Sequence, residues 1–436
     1  MHPGRQQIVR KLFPLFFIPI LILIALCSCR EPVFDSDPVS PVDNPMFRNV
    51  PDVDVPMYTL HLEDGKVVAN VDYVVNIDMG DRDEFRILNF ADIQLDGQDV
   101  EERNSEYAFM FRTTENLVAA ARPDLITLTG DQTSDGDPAG ITVIGNQMDS
   151  FGVPWAPVYG NHDDAYNRKG VPIEEQSVIY RSFENCIYRD GPAGLNRILE
   201  NGSDALGNYV VNIVKVSGDE FRIVRTLIFM NSGSREDYST SGYTGQRPYG
   251  DGTPTACLNR NQIEWYKQMV ASAQSYGDGK AVPSGIFLHI PTFGYVYAAS
   301  AAFNLPIDFY NYKTWVACMN LHPYYRSFGT TMWNTGYKDS YGVMHEVLCC
   351  PPYEEGMFRA MKEAGSDFIL AGHDHMNNFN IKYDGIRFVY GLKTGRGSYN
   401  ELLTVGGTLI TVSSDGSVSF RNILDFSDVM PIGPIQ

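Results

Sequence analysis

Basic residues are scarce in this chain of 436 residues: 34 Lys and Arg stand against 53 Asp and Glu, a formal net charge of −19. Wrapping a nucleic-acid backbone takes many Lys and Arg contacts, so nucleic acid is excluded as such a partner. A small anionic ligand is not, because a bound cation can supply positive charge locally. An apolar run long enough to span a bilayer is missing too. The N-terminal candidate, Leu12 to Leu26, follows Arg5, Arg10 and Lys11 and falls short of the ~20 residues a spanning helix needs. Cysteine is sparse, and histidine numbers only eight.

What is present is a repeated pattern in which a hydrophobic run ends in a metal-binding side chain. Arg86 to Ala91 runs into Asp92, and Asp124 to Gly130 runs into Asp131. Trp155 to Gly160 leads to Asn161-His162-Asp163, Gly285 to Leu288 to His289, and Asp367 to Gly372 to His373-Asp374-His375. Short apolar runs bounded by Gly or Pro read as buried strands of a parallel sheet. Ligands of open α/β sheets bind beyond the carboxyl ends of the strands. The pattern therefore predicts a metal cluster at one rim, and two metals. Mixed N and O donors without cysteine suit Mn, Fe, Zn or Co.

At these residues the chain resembles the calcineurin-like metallophosphoesterases, whose motifs run D-x-H, G-D, G-N-H-D/E, a lone His and G-H-x-H. Here they stand as Asp92-Ile93-Gln94, Gly130-Asp131, Gly160-Asn161-His162-Asp163, His289 and Gly372-His373-Asp374-His375. The wording of Arg122-Pro123-Asp124-Leu125-Ile126 and Phe287-Leu288-His289-Ile290-Pro291 is similar to the single-domain branch related to purple acid phosphatases. The resemblance implies a four-layer α/β/β/α sandwich and two divalent ions. Asp92, Gln94, Asp131 and His375 would surround the first ion, and Asp131, Asn161, His289 and His373 the second. Gln94 stands where the family has histidine, an amide oxygen in place of an imidazole nitrogen. His162 would face the substrate and protonate the leaving oxygen, with Asp163 orienting it.

The implied activity is hydrolysis of a phosphate ester by a metal-activated hydroxide, a monoester ahead of a diester. The alternative is a non-catalytic surface protein that binds glycan or another ligand on the same fold, with Gln94 as its support. His322 and Arg396 are further candidates for touching substrate.

Organisation follows from the same motifs, since a domain boundary cannot fall between residues that share one site. Residues 1–28 read as a signal peptide, and Leu26-Cys27-Ser28-Cys29 resembles a bacterial lipobox with Cys29 carrying the lipid. Without residues 1–28 and their three basic side chains the net charge becomes −22. Residues 29–50, rich in Asp and Pro, form a tether; 51–83 form an N-terminal β segment; 84–424 form the catalytic domain; 425–436 are a tail. Arg30 after the lipidated position points to the outer membrane of a cell envelope. Five cysteines beyond the lipobox leave at least one unpaired. Residues 292–345 form an aromatic-rich insertion, either a lid over the substrate or a hydrophobic subdomain covering the sheet edge. Nothing in the sequence sets an oligomeric state.

Overall fold

The structure is a computed structural model that describes residues 55, 57–163, 170–195, 206–234, 258–307, 330–331, 337, 339–351, 354–400 and 405–425. The described chain opens with β1 (Leu60–Glu63), β2 (Lys66–Ala69) and β3 (Val74–Asp78). Alternating units follow: β4 (Glu84–Phe90), α1 (Gly97–Glu102), α2 (Ser105–Ala121), β5 (Leu125–Thr129), α3 (Pro138–Ser150), β6 (Trp155–Val158) and α4 (Ile173–Arg181). A long hairpin, β7 (Tyr209–Ser217) and β8 (Glu220–Phe229), precedes α5 (Arg260–Gln274), β9 (Ser284–Phe287) and α6 (Gly294–Phe303). The remainder comprises β10 (Thr330–Thr331), β11 (Val343–Met344), α7 (Met357–Ala364) and β12 (Ser366–Ala371). Two hairpins end it, β13 (Asn380–Tyr383) with β14 (Ile386–Tyr390), and β15 (Gly406–Ser413) with β16 (Val418–Leu424).

The helices start and stop where local chemistry dictates. Asn104 accepts from the backbone N–H groups of Glu106 and Tyr107 at the start of α2, satisfying donors that have no partner inside the helix. Arg122 ends α2 in a left-handed conformation, and Pro123 cannot continue it. Asp137 caps α3, with Pro138 in its first turn.

The ligand-bearing strands do not share one sheet. Among the described residues a seven-stranded sheet runs β13-β14-β12-β9-β8-β7-β3, and a five-stranded sheet runs β16-β15-β4-β5-β6. Strands β4, β5 and β6 are parallel neighbours in the second sheet, as are β9 and β12 in the first. Strands β5, β6 and β9 are buried along their whole length, because each sheet is covered on both faces. Strand periodicity says that a run is buried but not which sheet it joins, which is why the sequence reads as one sheet.

The inner faces meet directly. Phe368 sets its ring edge-on to Phe420 at 5.3 Å. The Tyr209 hydroxyl donates to Pro157 O at 2.8 Å. Fully buried Arg225 on β8 forks onto Asp367 at 2.7 Å and donates to Gly416 O in the β15–β16 turn. Helices α5, α6 and α7 pack on the seven-stranded sheet, and α2 packs on β4 and β15 with α1 beside it. This is the α/β/β/α order. Among the described residues no helix is long and apolar enough to cross a membrane.

The N-terminal β segment joins the catalytic domain through β3, which pairs in parallel with β7 and forms the edge of the seven-stranded sheet. The first part of the aromatic-rich insertion is core. Tyr295 on α6 is fully buried, donates to Ile369 O and Val389 O, and packs edge-on to Phe388 and Tyr390. Much of the remaining insertion, including His322, lies outside the described residues, as does Cys29. Cys186 and Cys349 are free thiols.

Candidate metal centre

Each ligand candidate stands just past a strand end, and backbone ladders continue past those ends to fix the loops. Asp92 N donates to Gly130 O at 3.1 Å, and Gln94 N to Asp131 O at 2.9 Å, tying the β4 and β5 loops together. Gly372 N donates to His289 O at 3.1 Å, tying the β12 and β9 loops in the other sheet. The glycines of the motifs permit the close approach. A Cβ on Gly130, which adopts a positive φ, would lie 2.3 Å from the His289 ring, and one on Gly160 would lie 2.1 Å from Asp131 Oδ1. Asp92, Gln94, Asp131 and His373 all adopt left-handed backbone conformations, with φ between 50° and 78°. Such conformations are uncommon for residues other than glycine and cluster at functional sites.

Around Asp131 the donor atoms converge. His289 Nε2 lies 3.3 Å from Asp131 Oδ1, 3.0 Å from Asn161 Oδ1 and 3.3 Å from His373 Nδ1. His289 Nδ1 lies 2.8 Å from Thr129 O; since a carbonyl can only accept, Nδ1 carries a proton and Nε2 is left to face the cluster. This is how metal-binding imidazoles are commonly oriented. Burial lowers the pKa of His289, but the Asp131 carboxylate outweighs it and carries the imidazole up to about 10. His373, buried and beside His289, is pushed down to about 3. A nest of oxygen and imidazole donors that draws a proton onto one of its members has the chemistry of a cation site. Asp92, Asp131 and His289 each place a ligand atom within 4.8 Å of the others. The donor set fits a divalent ion held by Asp131, Asn161, His289 and His373.

The Asp92 half is built differently. His375 Nε2 lies 3.4 Å from Asp92 Oδ1, and its Nδ1 lies 2.9 Å from Tyr399 O. The Tyr399 ring stacks on the imidazole at 4.3 Å, and its hydroxyl donates to half-buried Glu346. Both Asp92 oxygens accept from His373 N at 3.2 Å. Gln94 does reach the rim, yet it is not disposed as a ligand. Its Oε1 accepts from Lys393 Nζ at 2.9 Å, and its Nε2 points at Asp131 Oδ2 at 3.4 Å.

The other candidates fall out as follows. His162 is exposed at the mouth of the cluster, its N–H donating to Asp131 Oδ1 at 2.8 Å and its Nδ1 3.2 Å from Ser134 O. Asp163 does not orient His162. Its buried carboxylate accepts from Gly160 N at 2.8 Å and Thr133 N at 3.1 Å, shaping the loop from within. Burial, with Asp131 nearby, pushes it up to about 8. The Arg396 guanidinium pairs with the Glu106 carboxylate at 3.3 Å and lies over the Phe109 ring at 4.7 Å.

Lys393, Tyr399 and Glu346 are the participants that reading the sequence for metal donors passes over. Lys393 had a signal: Ile386 to Leu392 is a sixth apolar run that ends in a charged side chain.

Fold and site together define a metallophosphoesterase. The chain belongs to the calcineurin-like phosphoesterase family, which matches residues 85–377. It is similar to probable inactive purple acid phosphatase 28 of Arabidopsis thaliana, 24% identical over 362 residues that cover 78% of each chain. Probable inactive purple acid phosphatase 14 of the same plant is 23% identical over 344 residues, 73% of this chain and 72% of that one. A probable cyclic nucleotide phosphodiesterase of Moraxella catarrhalis is 30% identical over 118 residues, 25% of this chain and 40% of that protein.

Proposed function

We propose that this protein hydrolyses a small phosphate ester, a monoester in preference to a diester, at a metal centre on an exported lipoprotein. The observation that carries the reading is the convergence of Asp131, Asn161, His289 and His373 with the exposed His162 ring at its mouth. A bound divalent ion of the Mn, Fe, Zn or Co kind would supply Lewis acidity and an activated water. The chain's own residues do the rest. Thr129 O and Tyr399 O hold the His289 and His375 rings in orientation, and Asp163 pins the loop that carries Asn161 and His162. With Nδ1–H donated to Ser134 O, His162 presents Nε2 outward, the atom that would hand a proton to the leaving oxygen.

The test is turnover of nitrophenyl phosphate and bis(nitrophenyl) phosphate by the purified chain with added manganese. Faster turnover of the monoester is expected, and the reverse order would reassign the substrate class. The membrane anchor rests on the sequence around Cys29. Cys29→Ser should release the protein from membranes, and unchanged partition in detergent extraction would refute the anchor.

A second reading is a metal-containing binding protein without turnover. It draws on Gln94 and on the word inactive in the names of two relatives. Absence of hydrolysis with every divalent ion, in protein that still binds metal, would favour it.

A further inference from the structure

Lys393 is a buried cation delivered to the rim as the ligands are. The chain leaves β14 and crosses to the five-stranded sheet, where Lys393 bridges Ala91 and Val405 and Thr394 N donates to Ala91 O at 2.7 Å. This brings the side chain under the Asp92–Gln94 loop with 1% of its surface exposed. Its Nζ donates to Asp92 O at 2.8 Å and to Gln94 Oε1 at 2.9 Å. An ammonium has donors only, so it fixes the Gln94 amide with oxygen toward Lys393 and NH2 toward Asp131. The oxygen that an ion between Asp92 and Asp131 would need is turned toward Lys393, and the amide face turned to Asp131 carries hydrogens.

Charge points the same way. A buried ammonium needs anionic compensation, and the two oxygens it bonds, Asp92 O and Gln94 Oε1, are neutral. The carboxylates of Asp92 and Asp131 supply it. These are the carboxylates that would neutralise a first ion, and an ion placed there would be repelled by the ammonium.

We propose that the Lys393 ammonium stands in for the first metal of the dinuclear arrangement, so that the centre holds one divalent ion, at Asp131, Asn161, His289 and His373. The inference rests on the metal-dependent reading above and sharpens it. Lys393 acts as a positioning residue: it fixes Gln94 and the Asp92 loop and adds a built-in positive charge to the rim.

The experiment is elemental analysis of the full chain, stripped with chelator, reloaded in excess manganese or zinc and desalted. Wild type should carry one equivalent per chain. The double variant Gln94→His/Lys393→Met, which restores an imidazole and removes the ammonium, should approach two. Two equivalents in wild type would overturn the inference while leaving the metal-dependent reading intact. A folded double variant that stays at one equivalent would overturn it as well. No metal in wild type would defeat the metal-dependent reading itself. Thermal melting reports whether the double variant folds, and if it does not, the wild-type count still decides.

Discussion

The two halves of the rim are made from the same kind of part and end differently. On the Asp131 side, lone-pair atoms of Asn161, Asp131 and His373 lie 3.0–3.3 Å from His289 Nε2, and no lysine or arginine is among them. On the Asp92 side, a strand end delivers Lys393, whose ammonium occupies the Gln94 oxygen. One half is shaped to receive a cation, and the other already contains one. A buried carboxylate needs positive charge close by, and a fold can meet that need with a metal or with a side chain. Asp92 and Asp131 are held below the usual carboxylate range by the neighbouring histidines even though burial acts in the opposite direction. Glu355, buried beside Glu354, is pushed up to about 8.

The largest break in this comparison comes from Asp131→Asn, which removes the carboxylate at the centre of the ion-binding half. The metal content should fall from one equivalent to nearly none, and phosphoesterase turnover should fall with it. Retention of the ion in elemental analysis would show that Asp131 does not hold it.

His162→Ala should keep metal and fold and lose ~10²–10⁴-fold in turnover, the usual contribution of a general acid or base. The loss should shrink for nitrophenolate leaving groups, which need little protonation. Equal loss with good and poor leaving groups would assign His162 to positioning instead.

Removing the ion should lower the melting temperature, because it binds only the folded state. The expected loss is about 3–4 kcal/mol for ion present at 100–1,000 times its Kd. A melting curve indifferent to chelator would contradict an ion in the Asp131 half.

Gln94→Ala separates the halves. It should leave the ion count unchanged and cost about 1–3 kcal/mol in stability, because buried Lys393 loses a partner. A fall in metal content would make Gln94 a ligand after all.

Glu355 gives an effect graded with pH. Its folded pKa of about 8 exceeds the ordinary 4.5, so between these values the folded state keeps a proton that the unfolded state releases. Stability is therefore greatest below pH 4.5 and falls as pH rises toward 8, by at most about 1.4 kcal/mol per pH unit. Glu355→Gln should flatten that slope in denaturant titrations, and an unchanged slope would remove Glu355 as its cause.

Much of the site is legible in the sequence because strand-then-ligand is a local pattern. Asp92, Asp131, Asn161, His289 and His373 each follow an apolar run directly, with His375 two residues later, and the fold brings them together. What local patterns cannot carry is partnership across the sheets. Nothing near Gln94 announces that Lys393, 299 residues away in sequence, takes its oxygen. Asp163 looks like an orienting neighbour because it follows His162, yet its partners are Gly160 and Thr133. The aromatics around Tyr295 read equally as a lid or as a hydrophobic subdomain, and Tyr295 donates into β12 and β14 as core. Composition identified the aromatic segment but could not say which side chains face inward.

Whether Lys393 replaces one ion is decided by a crystal structure of the wild-type chain grown with manganese, with anomalous diffraction measured. One anomalous peak per chain is expected, bounded by Asp131, Asn161, His289 and His373, with Lys393 still on Gln94. A second peak between Asp92 and His375, or no peak in the Asp131 half, would contradict it.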